Sequence, residues 1–252
     1  MSELAADLRA ALDPVALARS WGFTPEPWQQ TLLRQRPDRA LLCCCRQAGK
    51  STTAATAAVH EALYTPGSLV LMLAPIQRQS SELLRKARAL LAAVTPANTL
   101  TSDSTAALEL ANGSRIVSLP GRDDTIRGFS KVALLIFDEA AWVDDELYHA
   151  ARPMLAVSHG RLLALSTPNG QRGWFYREWA SGDGWHRTRI TASDCPRITR
   201  AFLVEERRTL TASAYASEYD CEFTDAIDSV FYAHDINAAI DHNLTPIYQG
   251  GW

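Results

Sequence analysis

The chain has 252 residues, 47% of them hydrophobic and 21% charged, with a net charge of −3. That length makes one large domain, or one domain with a short piece of another, and it buries about 70–75% of the unfolded surface without covalent staples. The acidic balance excludes a protein coated in basic residues, although a local patch can still grip nucleic acid.

Positive charge is almost all Arg, with Lys only at Lys50, Lys86 and Lys131. Arg suits bidentate phosphate contacts, but genome composition is the plainer explanation. No apolar run approaches the roughly 20 residues of a membrane span. The start, Met1-Ser-Glu-Leu-Ala-Ala-Asp7, is acidic and lacks a long apolar core, so it does not read as a signal peptide. Five cysteines, at 43, 44, 45, 195 and 221, have neither the spacing of a zinc site nor that of a disulfide framework. They read as small buried hydrophobes in a reducing compartment, and the protein is expected in the cytosol.

In chain order, Leu4, Leu8 and Leu12, then Leu17 and Trp21 after Pro14, predict two short amphipathic helices. Pro25-Glu-Pro-Trp-Gln-Gln30 opens a third helix through Leu33. A Trp28-Gln29 pair there can serve adenine, because the Gln amide offers both a donor and an acceptor. By itself it is better read as a helix start with an anchoring Trp.

The apolar run Ala40–Cys45 then leads into Cys44-Cys-Arg-Gln-Ala-Gly-Lys-Ser51 and a helix-forming stretch from Thr52. Strand, tight loop and helix is the context in which Gly-Lys-Ser cradles phosphate. Backbone N–H groups of Cys45, Arg46, Gln47, Ala48, Gly49 and Thr52, with the positive helix end, would face the phosphates. Lys50 would reach the β- and γ-phosphates of ATP, and the Ser51 hydroxyl would sit on Mg²⁺. The usual first Gly is replaced by Cys44, which is tolerable only at negative φ.

Leu69–Pro75 reads as a buried parallel strand, and Gln77–Val94 as a long helix carrying Arg78, Arg85, Lys86 and Arg88. Such a charge run is as well explained by a solvated face as by a role. Leu108-Glu-Leu and Arg115–Leu119 flank Asn112-Gly113, a type I′ hairpin signal that would add antiparallel strands at one sheet edge. A polar loop, Arg122–Ser130, precedes Val132-Ala-Leu-Leu-Ile-Phe-Asp138-Glu139, a strand ending in two carboxylates. Asp144–Leu155 is a predicted helix, Arg161–Ser166 a strand ending in Thr167-Pro168, and Trp185–Thr191 an edge strand. Ile198–Arg208 and Thr211–Tyr219 are predicted helices.

Strands alternating with helices argue a mainly parallel, three-layer α/β sheet. Ligands sit at the carboxyl ends of such strands, where the polar clusters 46–51, 138–139 and 166–168 all fall. Asp138 can complete the Mg²⁺ shell, and Glu139 can orient and polarise an attacking water. Two acids at a helix start can also simply favour its dipole, yet loop and acidic pair together, each after a buried strand, point to ATP hydrolysis. Arg46 would lie near the γ-phosphate. Arg127 is a second candidate for sensing it, and Arg85 or Arg88 for acting in trans on a neighbouring subunit. Ser166, Thr167 and Pro168 can sense the γ-phosphate and pass its state on, although such a triplet alone is more often a turn.

Trp28-Gln29, Arg-Gln-Ala-Gly-Lys-Ser51, Ile126-Arg-Gly128, Leu135-Ile-Phe-Asp-Glu-Ala-Ala141 and Ser166-Thr-Pro168 fall in one order. Together they resemble the large terminase subunit of tailed bacteriophages, whose loop (Walker A) likewise lacks the first Gly. The tail, Tyr215–Asp225 with Val230-Phe231, is similar to that family's link between motor and nuclease. The resemblance implies a RecA/ASCE-like P-loop NTPase with an antiparallel edge hairpin. It implies an ATP- and Mg²⁺-dependent motor that moves double-stranded DNA into a procapsid, in the cytoplasm of an infected bacterium. Implied partners are the portal, a small terminase subunit and further copies in a ring, expected to be a pentamer on the portal and a monomer in isolation. Family members carry a second, RNase H-like nuclease domain. Residues 1–228 are therefore expected to be the motor, and 229–252, ending Ile247-Tyr-Gln-Gly-Gly-Trp252, a linker and the first strand of a nuclease cut short before its first catalytic Asp. A helicase-type ATPase shares the same loop and acidic pair but needs a second motor domain, and a nucleotide-gated binding module is a third reading.

Overall fold

The computed structural model describes residues 3–96, 99–121, 126 and 128–224. The apolar runs become the centre of an eight-stranded sheet ordered β3-β4-β5-β2-β6-β7-β1-β8. β1 (Arg39–Cys44), β2 (Leu69–Ala74), β6 (Val132–Asp138) and β7 (Arg161–Ser166) are almost wholly buried. Continuous apolar sequence is what a parallel strand covered on both faces requires. β5 (Arg115–Pro120) and β8 (His186–Ile190) extend this parallel set on either side.

Crossovers in parallel sheets are right-handed, so the direction of each strand step decides which face its helix covers. α4 (Lys50–Tyr64) and α5 (Gln77–Val94) follow steps in one direction and share one face. α6 (Asp145–Ala151) and α7 (Gly173–Ser181) follow steps the other way, giving three layers. α1 (Glu3–Leu12), α2 (Pro14–Ser20) and α3 (Pro27–Gln35) pack about α4, and α8 (Arg200–Thr209) and α9 (Ala212–Glu218) close the described chain. α7 was not anticipated. Its Trp174 is buried and stacks on Tyr148 at 4.0 Å, with Phe137 at 5.3 Å.

Three local expectations need correction. The hairpin between β4 (Ala107–Leu110) and β5 forms, but its turn is not type I′, because only Gly113 has positive φ (82°). Gly113 N–H donates to Leu110 O and Leu110 N–H to Ser114 O, making a three-residue loop of the type I plus left-handed Gly kind. Asn112 keeps its ordinary φ and donates its amide to Ala62 O and Leu63 O at the end of α4. An additional strand, β3 (Leu100–Asp103), pairs antiparallel with β4 and forms the sheet edge. The predicted helix Asp144–Leu155 is split: α6 ends at Ala151 and a 3₁₀ turn, Arg152–Leu155, carries Pro153, which cannot donate to a continuing α ladder. Leu4, Leu8 and Leu12, expected to be the inner stripe of α1, are exposed. The expected nuclease segment, 229–252, lies outside the described residues.

Candidate active site

The loop after β1 reaches its shape without the missing glycine. Cys44 is not among the left-handed residues; those positions are Gln47 (φ 64°) and Gly49 (φ 86°). A Cβ on Gly49 would stand 2.8 Å from Gln29 Nε2, so a larger residue there would have to displace the Gln29 amide besides adopting a positive φ. Lys50 begins α4, is nearly buried, and donates to Cys44 O at 3.4 Å. The five thiols are buried and unlinked, as expected of packing residues, and burial pushes the Cys44 thiol up.

The order β6-β7-β1 brings the other two strand ends beside the loop. Lys50 Nζ lies 3.7 Å from Glu139 Oε1. Ser51 Oγ donates to Asp138 Oδ2 at 3.3 Å. Asp138 is pushed up to about 6 by burial and by the neighbouring Glu139 charge, against the pull of Lys50 and Lys86. A buried carboxylate joined to a hydroxyl is the donor set of a hard cation, and Mg²⁺ takes one or two carboxylates and completes its shell with waters and substrate phosphates. Glu139 is itself left-handed (φ 52°), a costly state for a non-Gly residue that clusters at functional sites. Ser166 Oγ reaches Glu139 Oε2 at 3.5 Å, the limit of a hydrogen bond, and Thr167 lines the same cavity. Pro168 O accepts from Ser217 of α9 at 3.2 Å, so the β7 end touches both the acidic pair and the last helix.

The cavity between these groups is about 710 Å³, within the range of small-molecule sites. The space at the amino ends of β1 and β7, beside His60 and Arg161, is only about 20 Å³, room for about one water. Arg46 lines the larger cavity, but its guanidinium is held by Glu218 of α9 at 2.6 Å. Gln29 is fully buried with its amide engaged: Oε1 accepts from Glu26 N–H at 2.7 Å and Nε2 donates to Ala48 O at 3.4 Å. It braces the loop, and Trp28 donates to Glu26 at 3.1 Å; neither side chain lines the cavity. Arg85 pairs with Glu82 at 2.7 Å and Arg88 with Asp103 at 2.8 Å; surface pairs this weak can be exchanged for another partner. Arg127 lies outside the described residues. Arg78 and Lys86, noted in the sequence only as part of a charge run whose role stayed open, lie in the cavity wall, as do Gln79, Trp142 and Arg197, which sequence reasoning missed. The helical spacing of Arg78 and Lys86 on α5 was visible; nothing local marked Trp142 or Arg197. Gln79 Oε1 is buried without a hydrogen-bond partner among the described residues.

A lysine-bearing loop after β1 and an acidic pair after β6, on a parallel sheet between two helical layers, define a RecA/ASCE-like P-loop fold. The family model for the terminase large subunit, T4likevirus-type, N-terminal, matches residues 42–238, and the chain belongs to that family. The large terminase subunit of Thermus virus P23-45 is 28% identical over 85% of this chain, and that of Escherichia phage T5 is 28% identical over 88%. The chain spans about half, 52%, of the length of each. Among solved structures, the large terminase ATPase domain of Thermus phage P74-26 superposes with a TM-score of 0.71 at 25% identity, covering 82% of this chain and 97% of that one. The large terminase of another thermophilic bacteriophage, solved in complex with ATP-gamma-S, superposes at 0.60 with 13% identity over 82% of this chain and 52% of its own, a likeness of fold.

Proposed function

We propose that the chain is an ATPase whose turnover drives double-stranded DNA into a viral procapsid. The observation that carries this reading is that Lys50, Ser51 and Glu139 line one cavity at the carboxyl ends of β1 and β6, with Asp138 joined to Ser51 behind its wall. Loop amides and Lys50 would hold the triphosphate, and Ser51 and Asp138 would hold Mg²⁺, which would supply positive charge against that developing on the phosphates. Glu139 orients the attacking water and takes up its proton. Arg46, freed from Glu218, reaches the γ-phosphate from within the chain. Arg127 is a second sensor of the γ-phosphate, and Arg85 or Arg88 of a neighbouring copy adds charge to the leaving phosphate, an effect worth about 10³–10⁵ in rate. Ser166, Thr167 and Pro168 carry the state of Glu139 to α9 through the Ser217 contact.

Membership of the terminase large-subunit family supports packaging over other uses of this site. The partners in this reading are duplex DNA, a portal and procapsid, a small terminase subunit and further copies of this chain in a ring, expected to be a pentamer, all in the host cytoplasm. In this reading residues 1–228 form the motor and 229–252 lie outside it. DNA-stimulated ATP hydrolysis without unwinding of a forked duplex tests it. Unwinding would favour the helicase-type reading, and nucleotide binding without turnover the gated module.

A further inference from the structure

Arg197 lines the same cavity as Lys50, yet it comes from the segment after β8, where no motif points. Its Nη2 and Nη1 lie 3.2 and 3.6 Å from where a Cβ on Gly49 would stand, so the guanidinium rests against the loop glycine. Glu26 Oε1, at the start of α3, holds Nη2 at 3.1 Å. The Arg197 side chain is 51% exposed, and a pair that open adds little stability. The pair is a resting contact that phosphate oxygens can replace.

The segment is also fastened to the loop. Cys45 N–H donates to Ile190 O at 2.9 Å, and Cys45 Sγ lies 3.7 Å from Cys195 Sγ. Thr191 and Asp194 form a reciprocal capping box beneath it. The sheet order β6-β7-β1-β8 then sets Glu139 and Arg197 on opposite flanks of the loop. Water attack belongs to the Glu139 side, so Arg197 faces what remains after the γ-phosphate has left. A planar fork of N–H donors matches phosphate oxygens there.

We propose that Arg197 is a second cationic anchor for the nucleotide, acting within its own chain on the phosphates common to ATP and ADP. This rests on the nucleotide-binding reading above. The test is calorimetric titration of ADP and of a non-hydrolysable ATP analogue, with Mg²⁺, into the parent chain and three variants. Arg197→Ala should weaken both ligands by a similar factor of about ten, the size of one charged hydrogen bond. Arg197→Lys should recover part of that loss. Glu26→Gln breaks the ion pair but leaves the cation, and should bind both ligands at least as tightly as the parent. Unchanged affinities in Arg197→Ala, a loss confined to the ATP analogue, or a Glu26→Gln loss as large as that of Arg197→Ala would each overturn the proposal. A parent chain that binds neither nucleotide overturns the ATPase reading itself, and this proposal with it.

Discussion

Lys50 Nζ and Glu139 Oε1 stand 3.7 Å apart although their strands, β1 and β6, are separated in the sheet by β7. The ammonium is nearly buried and the carboxylate is about a quarter exposed, at 27%. The distance is an ion pair without a short hydrogen bond, an arrangement that a polyanion can split. Phosphates would draw Lys50 toward the loop and leave Glu139 to a water molecule.

Asp138 accepts from Ser51 at 3.3 Å, and in the proposed function this pair is the shelf for a cation. Asp138→Asn keeps the shape and the bond from Ser51 but removes the charge that draws a hard cation. ATP turnover by Asp138→Asn should need roughly tenfold more Mg²⁺ for half-maximal rate, an effect on the order of one charged contact. A titration of rate against Mg²⁺ reads this directly. An unchanged midpoint would remove Asp138 from the metal shell.

Gln29 matters through the loop it braces. Gln29→Ala removes the donor to Ala48 O, which is buried, and the acceptor for Glu26 N–H, which is partly buried. Leaving buried polar groups unpaired costs about 1–3 kcal/mol, so the variant should melt several degrees lower and bind ATP and ADP more weakly. If Gln29 instead read the adenine edge, stability would hold while discrimination between ATP and GTP collapsed.

Far from the cavity, Glu61 accepts from Arg161 at 2.6 Å and Arg36 at 2.7 Å. Burial works against its ionisation, and the two guanidinium groups overcome that and hold its carboxyl below the usual range. Glu61→Gln would leave Arg161, whose side chain is only 18% exposed, without a counter-charge. Breaking such a pair from one side costs about 3 kcal/mol, readable as a lowered urea midpoint. A midpoint matching the parent would show that the trio contributes no net stability.

His60 gives the fold an acid limit. It is buried under α1, its Nε2–H directed at Ala11 O at 3.2 Å, and burial followed by the nearby Arg36 charge lowers it to about 4 from 6.5. Between those values the unfolded chain binds the extra proton and the folded chain does not. Stability is therefore lost as pH falls from 6.5 toward 4, by at most about 3 kcal/mol from this group. His60→Gln, which retains a donor, should lose less than the parent when urea midpoints at pH 7 and pH 4.5 are compared. Equal losses would clear His60 of this role.

The parallel core was legible because its strands are uninterrupted apolar runs, and the strand ends because polar residues stop those runs abruptly at Arg46, Asp138 and Thr167. α7 was not legible: Gly173-Trp-Phe-Tyr follows a turn signal at Asn169-Gly170, and its helix exists because Trp174 packs on Tyr148 and Phe137. The exposed Leu stripe of α1 shows the same limit from the other side, since periodicity announces an apolar face but not what covers it. Within the site, side-chain direction was the hidden quantity. The sequence located Arg46 in the loop and Gln29 at the start of α3, while their engagement by Glu218 and Ala48 depends on α9 and on a contact across the fold.

The central claim is most directly tested by Glu139→Gln. Single-turnover hydrolysis and nucleotide affinity should be measured side by side on this variant, with Lys50→Ala as the binding-defective comparison. Glu139→Gln should bind ATP with the affinity of the parent and lose at least about a hundredfold in hydrolysis, the scale of a general base; Lys50→Ala should lose binding or turnover outright. Hydrolysis by Glu139→Gln at the parental rate would contradict the account.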